Sequence, residues 1–187
     1  MNYDAFSHGQ IESKIWLCEE LEPFLKHNSV IWVLGSWYNT TALLLHTRKP
    51  YFYKMIVGYD NNPLCKDIAD KVCAAWTIHA PIRVSNFTAD VNELDWSNPP
   101  DCVINCSAEH FDSQQWYKDV PNDVLLCIQS TNIDDPDLPW LIKNPSTSYV
   151  HFEYNYPMQD KLFHGIHRVK MRSDSSGYDR FMMIGYK

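Results

Sequence analysis

The sequence predicts an open α/β sheet, and three observations carry that prediction. Short apolar runs alternate with amphipathic stretches through the first two thirds of the chain, the order that builds parallel strands joined by right-handed helical crossovers. Two of those runs end in chemically opposite residues: Ile31-Trp-Val-Leu-Gly-Ser-Trp37 closes on a glycine and Met55-Ile-Val-Gly-Tyr-Asp60 on a carboxylate. The last strand-like segments follow one another with no helical pattern between them, as an antiparallel pair at a sheet edge does.

The elements follow in order. Residues 1–9 read as an exposed arm. From Gln10 to Lys26, Ile11, Ile15, Trp16, Cys18, Leu21, Phe24 and Leu25 recur near the helical period, with Glu19, Glu20 and Glu22 on the wet side and Pro23 as a kink or break. His27-Asn-Ser29 turns into a first strand, 30–34. Asn39 or Thr40 caps the next helix, and Pro50 stops it. The second strand is 55–59. Asn62 as N-cap and Pro63 in the first turn open a helix to about Trp76. Residues 82–87 alternate as a third strand, and 89–95 form a loop or a single helical turn. Pro99-Pro100 leads rigidly into a fourth strand, 102–105. A loop to Asp112, a short helix 113–118 and a fifth strand 124–129 come next. Beyond them the expectation is a short helix near Trp140, a sixth strand from Ser148 to Tyr156, an ambiguous polar stretch 158–177 with a turn at Ser173–Gly177, and a final strand Phe181–Tyr186. The sum is a single Rossmann-like domain, 1–187, with a seven-stranded, mostly parallel sheet, helices on both faces and an antiparallel C-terminal hairpin. Within it, 1–28 is an arm and helix, 29–130 a nucleoside-binding half, and 131–187 the closing strands and loops.

Composition bounds the function. A net charge of −7 and a pI near 5.5 argue against gripping duplex nucleic acid, and Arg168-Val-Lys-Met-Arg172 is the only basic cluster. The six cysteines form no C-x-x-C pair and mostly sit in apolar runs, which fits buried thiols in a reducing compartment. No signal-peptide pattern and no apolar run approaching the ~18–20 residues of a membrane span is seen, so a cytoplasmic protein is expected. His164 and His167 lack a third ligand at matching spacing, and no metal is expected. An oligomer is left open.

A buried strand ending in Gly35, followed about twenty residues later by one ending in Asp60, is a nucleotide-binding pattern: glycine lets backbone approach a ligand, and the carboxylate accepts ribose hydroxyl protons. Together with Thr88-Ala-Asp90-Val91 and Asp101-Cys-Val-Ile-Asn105, these segments resemble class I S-adenosylmethionine (SAM)-dependent methyltransferases over nearly the whole chain. Within them the chain is similar to a small phage and bacterial subgroup, through Gln10–Lys14, the Asn-x-Ser-x-Glu-His stretch Asn105–His110, and Arg180–Gly185. Two features depart from the family. Its G-x-G-x-G loop is here Gly35-Ser-Trp-Tyr-Asn39, with Trp37 and Tyr38 where the methionine tail of the cofactor lies. Its amino-methylating Asn/Asp-Pro-Pro-aromatic signature is here Asn105-Cys-Ser-Ala, against ordinary N6-adenine or N4-cytosine methylation.

The resemblance assigns S-adenosyl-L-methionine as cofactor. Asp60 is expected on the ribose, with Asn61 beside it, and Asp90 and Val91 on the adenine, Asp95 being the alternative acid. Gly35, Ser36 and Trp37 form the loop, Asn105 ends strand four, and Lys14 reaches the cofactor carboxylate. Glu109 and His110 are the catalytic candidates, as base and orienter for a hydroxyl or amine. The acceptor is expected to be a small molecule, a nucleotide or a protein side chain. Two alternatives stay open: the same fold using SAM for another reaction, such as its cleavage, or a binding or partner subunit without methyl transfer.

Overall fold

The computed structural model of the protein describes residues 3–77, 83–133, 142–170 and 177–187. Seven strands form one sheet: β1 (Val30–Leu34), β2 (Met55–Asp60), β3 (Arg83–Thr88), β4 (Cys102–Asn105), β5 (Leu125–Thr131), β6 (Asp160–Lys170) and β7 (Gly177–Tyr186), in the order β3-β2-β1-β4-β5-β7-β6. The pairs among β1 to β5 are parallel, and β7 runs antiparallel to both β5 and β6. The expected terminal hairpin is therefore present, with its second strand inserted between the first and the rest of the sheet.

Both faces of the sheet are covered, which is why β1, β2, β4 and the start of β5 read as nearly continuous apolar runs, while the edge strand β3 buries only Asn86. On one face α1 (His8–Leu21) and α2 (Thr40–Arg48) place Leu17, Leu21, Ala42 and Leu45 against Ile31, Ile56, Ile104 and Met182. On the other, α4 (Gln115–Asp119) and α5 (Tyr149–Asn155) bury Trp116, Tyr117 and Phe152 against Leu34, Val103, Leu126 and Phe181. The remaining helix, α3 (Pro63–Thr77), opens as expected: Asn62 Oδ1 accepts the Leu64 N–H at 3.0 Å.

Four expectations change. Residues 148–156 are a helix and not a strand. Tyr149, Phe152 and Tyr156 lie three and four apart, which is one helical face against the core, and the Ser148 hydroxyl accepts the His151 N–H at 3.1 Å as an N-cap. The sixth strand is instead 160–170, inside the stretch read as ambiguous, where half-buried Phe163, Gly165 and His167 alternate with exposed neighbours. The N-terminal segment is not a free arm: a 3-10 turn, Tyr3–Phe6, sets Ala5 against Tyr38 and Cys65. In α1 the core row is Ser13, Lys14, Leu17, Cys18 and Leu21, while Ile11, Ile15 and Trp16 are half-buried, because two polar residues find partners inside. The break at Pro23 is a short 3-10 turn, Glu22–Phe24. Asn39 precedes α2 without capping it through its side chain. The expected helix near Trp140 and the turn from Ser173 lie outside the described residues.

Candidate active site

In this strand order the chain leaves β1 toward β2 and β3 on one side, and β4 leads to β5 on the other. A crevice opens beyond the C-terminal strand ends where such a sheet divides. A cleft of about 970 Å³ lies there. Its walls include Gly35, Ser36, Trp37, Asp60, Asn61, Asp90 and Val91 from the side of β1 to β3. Lys14, Glu109, His110, Thr131, Tyr178 and Arg180 complete it from α1 and the side of β4 to β7.

The loop after β1 has one glycine, yet three alternate residues take left-handed backbone: Gly35 at φ +60°, Trp37 at +51° and Asn39 at +51°. L-residues adopt this region at a strain, so something must hold it. Part of the hold is a hydrogen-bonded chain under the loop. Asn39 Nδ2 donates to Asn86 Oδ1 at 2.8 Å, Asn86 Nδ2 to Asp70 Oδ1 at 2.9 Å, and Lys66 Nζ to Asp70 Oδ2 at 2.6 Å. The chain passes over Gly58, where a Cβ would come within 2.7 Å of both Asn39 Nδ2 and Ser36 Oγ. The rest of the hold is Asp60, whose Oδ2 accepts the Trp37 N–H at 2.9 Å and whose Oδ1 accepts the Asn62 N–H at 3.0 Å. The Cys65 thiol also hydrogen-bonds Asp60. A carboxylate has about four acceptor positions, so roughly one remains for a ligand in the cleft. The Trp37 ring packs beside Tyr38, 5.2 Å between centroids, next to Ala5, Cys65 and Ile68, as part of the cleft wall. Asp90 Oδ1 accepts from the N–H and the amide of Asn92, both at 2.9 Å, and Val91 is buried beneath the cleft. Asp95 binds the Ser97 N–H and hydroxyl and is not on the cleft wall.

The other end is more polar than the sequence suggested. Glu109 lies in a 3-10 turn, Ala108–His110, and its Oε1 meets Arg180 Nη1 at 2.6 Å inside the protein. Burial is the largest single influence on Arg180 and opposes its charge, but the Glu109 carboxylate and the other neighbouring groups together outweigh it and its pKa moves up. Burial pushes the neighbouring Tyr178 phenol up, so it stands there as a neutral hydroxyl. Lys14 donates to Gln10 Oε1 at 2.7 Å, and burial lowers its pKa. Arg180 Nε and Glu109 Oε2 are buried without a hydrogen-bond partner among the described residues. His110 is half-buried on the wall, with Nε2 3.9 Å from Glu109 Oε1. Asn105 is fully buried below the cleft, its Oδ1 accepting the Ser107 N–H at 3.0 Å, and it does not line the wall.

The geometry thus gathers every candidate except Asn105 and the alternative acid Asp95 around one opening. It adds Arg180, Tyr178 and Thr131, which sequence reasoning did not single out as site residues. Arg180 carried a faint signal as the charge directly before the apolar run Phe181–Ile184. Among the described residues no cluster of His, Cys, Asp and Glu is placed to hold a metal ion, and no helix is long and apolar enough to cross a membrane. All six cysteines are buried free thiols.

No family model and no curated protein sequence matches the chain. Solved structures do match in shape. NodS, an N-methyltransferase from Bradyrhizobium japonicum crystallised with S-adenosyl-L-homocysteine (SAH), aligns at TM-score 0.69 and 10% identity, over 97% of this chain and 89% of its own. Coclaurine N-methyltransferase, bound to N-methylheliamine and SAH, aligns at 0.67 and 10% identity, over 95% and 73%. The YcgJ protein of Bacillus subtilis aligns at 0.65 and 11%, over 95% and 98%. At such identities the likeness is one of fold: the chain has the seven-stranded, Rossmann-like sheet of the SAM-dependent methyltransferases.

Proposed function

We propose that the protein is a SAM-dependent methyltransferase acting on a small molecule, a nucleotide or a protein side chain, in the reducing cytoplasm and within the small phage and bacterial subgroup its Asn105–His110 stretch resembles. One observation carries this reading. The loop after β1 keeps left-handed backbone at residues 35, 37 and 39 with only one glycine, and Asp60 holds it from below while facing the cleft. Backbone strain of this kind persists where surrounding structure serves a site.

The donor and acceptor groups fit the cofactor. Asp60, with Asn61 beside it, takes the ribose hydroxyls; Asp90 takes the exocyclic amine of the adenine; Val91 covers a ring face; and the Gly35–Trp37 backbone passes alongside. When bound, SAM supplies an electrophilic methyl group on a sulfonium. The chain's contribution is to hold donor and acceptor in line within one cleft, which by itself supplies much of the rate of a displacement. Glu109, expected as a base, has its Oε1 engaged by the Arg180 guanidinium at 2.6 Å inside the protein. Proton removal from a hydroxyl or amine acceptor falls to His110 on the wall.

Calorimetric titration with SAM and SAH tests the reading. Binding of both is expected, and Asp60→Ala should weaken it on the order of 100-fold, as loss of charge-assisted hydrogen bonds would. Absence of heat with either ligand sinks this proposal. The commitment of Glu109 to Arg180 also favours a second reading, in which the cofactor is held without methyl transfer. Product analysis separates the two, and methylthioadenosine in place of a methylated acceptor would mark SAM cleavage.

A further inference from the structure

The end of the cleft away from Asp60 is built of two buried cations and one buried anion. Lys14, Arg180 and Glu109 are 6%, 3% and 1% exposed, and all three line the cleft. Glu109 matches Arg180. The Lys14 ammonium makes its one hydrogen bond among the described residues to a neutral amide oxygen, that of Gln10. The buried groups of this compartment thus carry one positive charge more than negative, in a protein whose net charge is −7, with the exposed Asp4 carboxylate on the same wall as the further counter-charge, and the Arg180 Nε donor is buried and unpartnered among the described residues.

Its place in the sheet separates it from the nucleoside end. Ser13 exchanges hydrogen bonds with Gln129 of β5, at 3.3 and 3.1 Å, and Glu12 meets His167 of β6 at 3.1 Å, so this turn of α1 lies over the β5–β7–β6 side. Strands lie ~4.8 Å apart, which puts β5 and Thr131 ~14 Å across the sheet from β2 and Asp60.

Resting on the methyltransferase reading, we propose that the acceptor is an acid whose carboxylate is received by Lys14, with the Arg180–Glu109 pair beside it. An ammonium withdrawn from water with too little counter-charge is penalised, and an arriving carboxylate removes that penalty while taking up donors the protein leaves unused. The Tyr178 hydroxyl on the same wall suits the polar remainder of such an acceptor.

The test compares benzoate with its uncharged isostere benzamide by ligand-observed NMR, on the full chain with and without saturating SAH. The acid is expected to bind at least tenfold more tightly than the amide in both states. Lys14→Met should erase that preference and Lys14→Arg should restore it, with SAH affinity in Lys14→Met staying within threefold of wild type. Thermal melts of both variants establish that they are folded, and the charge-keeping variant makes the comparison independent of packing. Equal binding of acid and amide, or binding of neither, overturns the proposal. So does a loss of SAH affinity in Lys14→Met equal to that in Asp60→Ala, which would give Lys14 to the carboxylate of the cofactor itself. Failure of SAH to bind at all would remove the enclosing reading alone, because acid–amide discrimination on the SAH-free protein still decides this one.

Discussion

Gly35 answers two constraints at once. Its φ of +60° is a conformation that L side chains rarely adopt, and a Cβ there would stand 2.9 Å from the Phe111 ring and 3.0 Å from Ser107 Oγ. Gly35→Ala should therefore destabilise the protein by about 2–4 kcal/mol, from left-handed strain plus overpacking, measured by urea unfolding. It should also lower SAH affinity by displacing Phe111 from the cleft wall. The position of Gly35 and Asp60 on the cleft wall was legible in the sequence because each ends an apolar run, and in this fold the cleft lies beyond the strand ends. Arg180 was not legible. Its meaning depends on Glu109, 71 positions away, and nothing local announces that two charges will be buried together. Glu109 was read as a base for the same reason: the sequence shows a carboxylate beside a histidine and conceals the guanidinium that claims it.

Among elements, β2 shows how a strand can support a loop it does not belong to. Gly58 leaves room for the Asn39–Asn86–Asp70 chain to cross the sheet surface, and that chain fixes the last left-handed residue of the loop. Gly58→Ala should cost about 1–3 kcal/mol by overpacking and should weaken SAH binding, although residue 58 touches no ligand in the proposed site. Calorimetry and urea unfolding on the same preparation check both; unchanged SAH affinity would mean the chain is irrelevant to loop geometry. Four of the parallel strands, β1, β2, β4 and β5, were legible as largely buried apolar runs bounded by turn residues, and the edge strand β3, where only Asn86 is buried, by its alternation. The 148–170 region was not. Its aromatics satisfy period two and the helical period almost equally over so short a stretch, and the choice was made by the Ser148 cap and by Phe152 filling the core. Likewise α1 hid its inward face, because Ser13 and Lys14 look like solvent residues until Gln129 and the cleft are seen to take them.

For the molecule as a whole, the Arg180–Glu109 pair fastens β7 to the turn after β4, across β5. Removing one partner should be far worse than removing both. Glu109→Leu or Arg180→Met alone should lose about 3–5 kcal/mol, while the two combined should recover most of it, as a double-mutant cycle in urea would show. Additive losses would mean that the pair is solvated in solution. The same strand order bears on biosynthesis. β7 is translated after both strands that flank it, so a nascent chain carries β5 with one backbone edge open while residues 132–176 are made, roughly 2–9 s at ordinary elongation rates. An uncapped edge that begins with the apolar run Leu125–Ile128 is a template for pairing with other chains. Yield in the soluble fraction should therefore respond to chaperone supply and growth temperature more than the stability of the finished protein would suggest.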